Sequence, residues 1–207
     1  MKIAIATNSD DPAFIHKIFP FAGEEQSLII VNHASEFLNA GDADAYIDFC
    51  FNGEIYSPAS KPLLVNETII PLAEFSKTHL HIGRFCGWNG FAERKLWEIA
   101  VASNKAEWIQ PLMTIIDKQY KIVADVAGLI APRILSVIIN EAFYALEEGV
   151  SNAAQIDLAM KTGTNYPNGP FEWGKKIGFQ NVYKLLDRLS ASDPAYKPHH
   201  LLLNNDF

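Results

Sequence analysis

The stretch KTGTNYPNGPFEWG (Lys161–Gly174) packs three glycines, two prolines and three aromatic residues into fourteen positions. Gly163 is placed to end one helix, and Tyr166-Pro167 predicts an extended step because a residue before proline avoids the helical region. Asn168-Gly169 is typical of a turn, and Pro170 favours the start of a new helix, where its missing N–H costs little. The stretch therefore predicts a rigid corner between two helices rather than a catalytic loop.

Helical patterns flank this corner on both sides. Isoleucine, alanine and leucine recur every four residues from Ile130 to Leu146, and Gly149 is placed to end that helix. Pro132 fits only the first turn. The helices predicted after it are Ser151 (as the capping residue) to about Thr162, Pro170–Lys176 and Asn181–Leu189. This part of the chain, residues 125–207, is predicted to be an all-helical domain.

Residues 1–124 instead alternate short β-like runs with helical ones, which predicts an α/β domain with a mainly parallel sheet. The apolar run Ser27–Asn32 is typical of a strand covered on both faces. Asn52–Lys61 is too short for a helical crossover, so antiparallel pairing or a tight loop is expected there. The predicted strands are Met1–Ala6, Ser27–Asn32, Ala45–Phe51, Pro62–Val65, Leu80–Phe85, a strand that contains Glu98, and Tyr120–Ala124.

Two helix starts are predicted within this α/β domain. Asp11 followed by Pro12 provides a carboxylate cap and a proline at the first helical position. Asn104 and Glu107 resemble a capping box that opens a helix over Lys105–Asp117. Trp108, Ile109, Leu112, Ile115 and Ile116 share one face of that helix, so this face should be buried.

Composition excludes several classes of function. The net charge is -7 and no basic stripe is visible, so a nucleic-acid partner is not expected. The apolar runs are too short for a membrane span, and the first residues lack a signal-peptide pattern, so we expect a cytoplasmic protein without a membrane partner. Cys50 and Cys86 form neither a disulfide framework nor a metal-ligand spacing, so no metal is predicted.

Three segments of the second half resemble one known family. They are VADVAGLIAPRIL (residues 123–135), INEAFYALEEGVSNAAQIDLAMKTGTNYPNGPFEWGKKIG (139–178) and DPAYKPHHLL (193–202). Together they resemble the C-terminal domain of the 3-hydroxyacyl-CoA dehydrogenases, most closely the 3-hydroxybutyryl-CoA type. The resemblance implies a Rossmann-like NAD domain, shortened in this chain, a helical domain that forms dimers, and hydride transfer on acyl-CoA thioesters in fatty-acid metabolism.

The resemblance also locates the NAD-binding positions. The family's G-x-G-x-x-G turn lets the backbone approach the NAD pyrophosphate, but its glycine positions fall on Thr7, Ser9 and Pro12. The acidic position that receives the ribose hydroxyls falls on Asn32. Asp10 and Asp11 would put negative charge at the helix N-terminus that otherwise holds the anion. Thr7, Ser9 and Asn32 are therefore predicted to mark a cofactor site at which NAD is not bound in the ordinary way.

The catalytic positions diverge as well. The family's histidine base falls on Cys86, or on a neighbour if the alignment shifts by one residue, and none of these is histidine. The glutamate that orients this histidine corresponds to Glu98, which we interpret as a remnant of the catalytic site. His81 lies seventeen positions before Glu98, too far from the carboxyl end of its strand for a catalytic role to be expected.

Two substrate positions of the family differ too. Asn66 corresponds to a substrate-binding asparagine, but Val65 and Glu67 replace the serine and threonine that flank it in the family. A second family asparagine corresponds to Pro132, whose side chain cannot form a hydrogen bond.

Three functions remain open from the sequence. The first is a catalytically impaired or silent relative that acts by dimerisation through its helical domain, with itself or with a true dehydrogenase. The alternative is an active NAD-dependent 3-hydroxyacyl-CoA (3-hydroxybutyryl-CoA) dehydrogenase with an altered site. A third is an acyl-CoA-binding protein without redox chemistry.

Overall fold

The structure, a computed structural model, describes residues 1–9, 13–20, 28–76, 78–102 and 106–203. The chain forms two compact units, Met1–Leu129 and Ile130–Phe207. The first is an α/β unit and the second is all-helical, which confirms the predicted fold class. The helix starts predicted at Asp11–Pro12 and Asn104 lie outside the described residues. Within the described ranges, no helix has both the length and the apolarity needed to cross a bilayer.

Seven strands form one sheet in the order β2-β1-β3-β4-β5-β6-β7 within the part of the chain that the structure describes. All neighbouring strands are parallel except β5 and β6, which run antiparallel. β2 and β3 lie on opposite sides of β1, so the strand order reverses at the β1–β3 pair. The strands are β1 (Ile3–Ala6), β2 (Leu28–Val31), β3 (Ala45–Asp48), β4 (Leu63–Asn66), β5 (Ile82–Phe85), β6 (Leu96–Val101) and β7 (Gln119–Ile122).

Two predictions about this sheet need correction. β2 is an edge strand with one neighbour, and Ile30 is 47% exposed, so the prediction that both faces of Ser27–Asn32 are covered was wrong. β3 and β4 pair in parallel, so antiparallel pairing across Asn52–Lys61 was wrong and the tight loop was right. The antiparallel pair is instead β5–β6.

Alternate residues of the central strands pack into two apolar layers, one on each face of the sheet. Ile3 and Ile5 of β1 point into one layer, and Ala4 and Ala6 point into the other. The helices of this unit are α1 (Phe14–Ile18), α2 (Leu72–Phe75) and α3 (Ile109–Ile115), with a 3-10 helix at Ala34–Asn39. α3 is shorter than predicted, but Ile109, Leu112 and Ile116 are buried as the pattern indicated.

A buried arginine braces the α/β unit. Arg84 on β5 is fully buried, and its Nε donates to Asp125 Oδ1 at 2.6 Å. Its Nη1 and Nη2 donate to the carbonyls of Glu67 (3.1 Å) and Val126 (2.6 Å). Asp125 also accepts hydrogen bonds from the amides of Leu72 and Ala73, at the start of α2. Arg84 and its partner Asp125 thus connect the end of β4, the start of α2 and the segment after β7 to a central strand.

The helical unit contains α4 (Ala131–Glu147), α5 (Ala153–Thr164), α6 (Pro170–Ile177) and α7 (Phe179–Ser190), followed by 3-10 helices at Pro194–Tyr196 and His200–Leu202. Pro132 lies in the first turn of α4, as predicted. The buried face of α4 carries Leu135, Ile139 and Phe143, whereas Ile130 and Ile134 are 51% and 55% exposed. The four-residue repeat from Ile130 therefore begins on an exposed apolar face and reaches the buried face at Ala142.

The ends of α5 differ from the prediction. Asn152, not Ser151, is the N-cap, and its side chain accepts from the Gln155 amide at 3.0 Å. Gly163 lies inside the helix, and Asn165 ends it in the left-handed conformation (φ 58°). Asparagine tolerates that conformation because its short polar side chain can hydrogen-bond locally.

The corner that opens α6 is held by a carboxylate from α5. Asp157 is 7% exposed and accepts hydrogen bonds from the amides of Phe171 (2.8 Å) and Glu172 (3.2 Å). The Glu172 carboxylate in turn accepts from the Gly169 amide at 2.9 Å. A Cβ atom on Gly169 would lie 2.2 Å from Asp157 Oδ1, so only glycine allows this approach. The predicted rigid corner is thus present and depends on a distant carboxylate.

We expect Gly169→Ala and Asp157→Ala each to lower the free energy of unfolding by about 1–3 kcal/mol, the first by overpacking and the second by leaving two amides without acceptors. Gly163→Ala is the matched control, because a Cβ atom there meets nothing within 4 Å, and it should stabilise the chain by about 0.5–1 kcal/mol. Denaturant unfolding measures all three. Equal effects for Gly169 and Gly163 would contradict the role of the corner.

Candidate functional site

The candidate site lies where the carboxyl ends of the parallel strands meet. In open α/β sheets, ligands bind at this edge, near the point where the strand order reverses. Thr7 follows β1 and Asp48 ends β3, on the two strands that flank the reversal. Asn66 ends β4 and Cys86 follows β5. Thr7, Asn66 and Cys86, which lie far apart in the sequence, are therefore at one edge of the sheet together with Asp48.

Glu98 joins this edge because β6 runs antiparallel to β5. Phe85 pairs with Ile99, so the next position in the same register sets Cys86 opposite Glu98. Glu98 is half-buried, and its charge raises the pKa of the Cys86 thiol. The predicted catalytic remnant and the residue at the position of the base thus lie side by side.

Cys86 is a poor acid–base group in this setting. Its side chain is buried, and burial, more than the nearby Glu98 carboxylate, raises the pKa of the thiol to about 12. The thiol therefore stays protonated at neutral pH, and a protonated thiol is neither a general base nor an effective nucleophile.

Asn66 connects the ends of three strands. Its Nδ2 donates to the Phe49 carbonyl at 3.2 Å, and its Oδ1 accepts from the Gly87 amide at 2.8 Å. A Cβ atom on Gly87 would lie 2.6 Å from Asn66 Cγ, so the glycine permits the contact. Asn66 thus uses both ends of its amide within the protein, and its predicted substrate contact stays a prediction.

The predicted cofactor positions surround the end of β1. The Thr7 amide donates to the Val31 carbonyl at 3.0 Å, and Thr7 Oγ1 accepts from the Ser9 amide at 3.3 Å. Cys50 Sγ contacts the Asn32 carbonyl at 3.8 Å. A pyrophosphate cradle needs free backbone amides and close backbone approach, whereas here a threonine hydroxyl already occupies the Ser9 amide. Among the described residues of this turn, the Ser9 amide thus already has an acceptor within the chain.

Asp48 is the site residue that sequence reasoning missed. It is 2% exposed, and its Oδ1 accepts from the Cys50 amide at 2.8 Å. Burial raises the pKa of the Asp48 carboxyl to about 6, although the hydrogen bond from Cys50 opposes the shift. A strongly perturbed carboxyl where the strand order reverses is a functional-site candidate. The available signal was an acidic residue at the end of the apolar run AYID.

His81 lies at the opposite edge of the sheet. It precedes β5, and five residues of extended chain separate it from Cys86, which corresponds to about 17 Å. Neighbouring His79 is 4% exposed, and its Nε2 lies 3.3 Å from Ser57 Oγ. Burial lowers the pKa of His79, so its imidazole is neutral at physiological pH. We interpret the contact between His79 and Ser57 as structural.

Comparison with known proteins identifies the helical unit. Residues 128–205 match the family described as 3-hydroxyacyl-CoA dehydrogenase, C-terminal domain. The C-terminal unit belongs to this family. The chain is 42% identical over 82 residues to 3-hydroxyadipyl-CoA dehydrogenase of Escherichia coli K12 and 40% identical over 88 residues to 3-hydroxybutyryl-CoA dehydrogenase of Bradyrhizobium diazoefficiens. These matches cover 39% and 42% of this chain but only 17% and 30% of the relatives.

Solved structures extend the likeness of fold beyond the C-terminal unit. Mycobacterium tuberculosis FadB2 superposes with a TM-score of 0.78 over 98% of this chain and 92% of that one, at 15% identity. A 3-hydroxybutyryl-CoA dehydrogenase from Escherichia coli K12 gives a TM-score of 0.75 over 99% of this chain and 56% of that one, at 17% identity. A 3-hydroxyacyl-CoA dehydrogenase C-terminal domain therefore follows an α/β unit whose likeness to these structures is one of fold.

The raised pKa of Asp48 predicts how the free energy of unfolding depends on pH. Its pKa is raised from 3.8 to about 6 in the folded chain, so the unfolded chain loses this proton first as pH rises. The burial cost is absent below the unfolded pKa, grows between the two values and is constant above about pH 6, where it reaches about 3 kcal/mol at most. We expect Asp48→Asn to remove this loss.

The measurement is the free energy of unfolding at several pH values from 4 to 8. The variant should gain stability over the wild-type chain as pH rises to about 6, with no further gain above it. Asp42→Asn is the control, because Asp42 is exposed. Parallel pH profiles for the wild-type chain and Asp48→Asn would contradict the burial effect.

Proposed function

We propose that this chain is a 3-hydroxyacyl-CoA dehydrogenase-like protein of acyl-CoA metabolism that does not carry out the ordinary NAD-dependent reaction and acts through dimerisation of its helical unit. The observation that carries the proposal is the pairing at the end of β5. The residue opposite Glu98 is Cys86, a buried thiol whose pKa is raised to about 12. A general base at neutral pH needs a pKa near that pH, and this thiol fails the requirement.

The surroundings of the pair support the same conclusion. The Ser9 amide already donates to Thr7 Oγ1, and Asp48 adds a buried carboxyl between the ends of β1 and β4. Above pH 6 this carboxyl is ionised and would repel a pyrophosphate at the same edge. The ordinary reaction needs a catalytic base and a cradle for the pyrophosphate anion. Residues of this chain therefore disfavour both.

Dimerisation is supported by the exposed face of α4. Ile130, Ile134 and Val137 are 51%, 55% and 39% exposed, and their spacing places them along one side of the helix. A stripe of exposed apolar side chains on a long helix favours association with a like surface, and the isologous contact of a two-fold dimer is the most common solution.

The catalytic part of the proposal is tested with purified protein of residues 1–207. NADH binding is followed by fluorescence titration, and acetoacetyl-CoA reduction by the loss of NADH absorbance. We expect neither saturable NADH binding nor turnover. Saturable binding with turnover would instead establish the active dehydrogenase with an altered site. Calorimetric titration with acetoacetyl-CoA alone tests for an acyl-CoA site without redox chemistry.

The dimer is tested by a charge placed on the α4 face. Ile134→Glu should convert a dimer into a monomer in light scattering, because two copies would bury facing carboxylates without a partner. Leu80→Glu is the matched control, since Leu80 is 65% exposed in the α/β unit, and it should remain a dimer. A wild-type monomer, or a variant that still dimerises, would overturn the proposed interface.

A further inference from the structure

Two histidines and a glutamate, residue types that can coordinate metal ions, meet at the end of α4. Glu147 is the last residue of that helix, and His199 and His200 lie at the start of the final 3-10 helix. Their ligand atoms all lie within 4.8 Å of one another. His199 Nε2 lies 2.9 Å from Glu147 Oε2, and His200 Nε2 lies 3.5 Å from Glu147 Oε1. From this geometry we propose that Glu147, His199 and His200 form a binding site for a divalent transition-metal ion of the Zn²⁺ class.

The spacing suits the size of such an ion. Zn–N and Zn–O bonds of about 2.0–2.1 Å place adjacent ligands of a tetrahedral site about 3.3 Å apart. The separations of His199 and His200 from the two carboxylate oxygens of Glu147, 2.9 Å and 3.5 Å, fall on either side of this value. All three ligand atoms lie within 4.8 Å of one another, so coordination requires the exposed side chains to close by at most about 1.5 Å. Two imidazoles and one carboxylate form a ligand set that leaves a fourth position for water. Imidazole suits Zn²⁺, Co²⁺ and Ni²⁺, whereas Mg²⁺ and Ca²⁺ prefer oxygen ligands.

The site is supported by a rigid surrounding. Asn140 lies two turns before Glu147 on α4, and its Oδ1 accepts from the His199 amide at 2.7 Å. Its Nδ2 donates to the Lys197 carbonyl at 3.0 Å, so one side chain holds the segment before the histidines. The Tyr144 ring lies edge-on to the His199 ring, with 4.5 Å between centroids. The orientation of His199 is therefore set before any metal binds.

Exposure and electrostatics both permit entry of a cation. His199 is 2% exposed, but the side chains of His200 and Glu147 are 64% and 50% exposed. The C-terminal end of a helix carries partial negative charge, and Glu147 occupies that end of the 17-residue α4. The buried imidazole provides a fixed ligand, while the two exposed side chains can close over an arriving ion.

Metal binding would change the tautomer of His199. The Leu201 amide donates to His199 Nδ1 at 3.3 Å, which favours the tautomer whose ring proton is on Nε2, 2.9 Å from Glu147 Oε2. Coordination through Nε2 requires this proton to leave Nε2 and Nδ1 to carry one instead, which breaks the long bond from Leu201. The bound ion would then join the last 3-10 helix to α4 and stabilise the folded chain.

The experiment uses the full chain, freed of metal with EDTA and dialysed. We expect calorimetric titration with ZnCl2 to show one saturable site per chain, and ZnCl2 to raise the melting temperature. CoCl2 should produce visible absorption bands of a low-coordinate ion, and MgCl2 should have no effect. His200→Ala and Glu147→Gln should each weaken Zn²⁺ affinity by at least about tenfold, the lower end of what loss of an outer-shell partner costs.

His16→Ala is the matched control, because His16 is an exposed histidine in the α/β unit and its loss should leave Zn²⁺ binding unchanged. Circular dichroism verifies that each variant is folded. Because His200 is exposed, we expect His200→Ala to leave the fold intact. Absence of saturable Zn²⁺ binding would overturn the proposal. Stoichiometric binding that is equally tight in His200→Ala and Glu147→Gln would overturn it as well.

Discussion

The α/β unit depends on one fully buried guanidinium. Arg84 places its charge beside Asp125 and directs its other donors to backbone carbonyls of Glu67, Thr68 and Val126. Removing either partner of such a pair leaves the other charge buried without a partner, which is strongly destabilising. Because Asp125 also accepts from the first amides of α2, the same pair positions the loop that follows β4.

This brace explains why the candidate site is rigid rather than adaptable. β5 carries Arg84 and is followed by Cys86, and Asn66 at the end of β4 bonds to the amide of Gly87, the next residue. The polar atoms at this edge are mainly occupied by contacts within the protein. Asp48 lies where the strand order reverses, and burial raises the pKa of its carboxyl. Burial also raises the pKa of the Cys86 thiol at this edge, to about 12.

The helical unit uses the same physical device in a different place. Asp157 of α5 accepts from the first amides of α6, and Gly169 leaves room for its carboxylate. Gly174 then allows α7 to approach, since a Cβ atom there would lie 2.0 Å from the Phe179 ring. The conspicuous stretch from Lys161 to Gly174 is therefore a structural joint. Its residues pack α5, α6 and α7 together.

Several elements of the fold could be predicted from the sequence because they depend on local chemistry. The burial of Ile109 and Leu112 follows from helical periodicity, and the position of Pro132 follows from its missing N–H. The cap of α5 was misplaced by one residue, since Ser151 and Asn152 are both good caps and only the backbone conformation distinguishes them. The edge position of β2 could not be inferred, because an apolar run does not tell how many neighbours a strand has.

The sequence by itself determined the two-part architecture and the corner between α5 and α6. Only the tertiary structure decided that β5 and β6 run antiparallel, so that Cys86 faces Glu98, and that Asp48 is buried at the strand reversal. It also brought Glu147 to His199 across 52 residues. The physical reason is that periodicity and capping act within a few residues, whereas strand register, burial and the pKa values that follow from them depend on segments far apart in the chain.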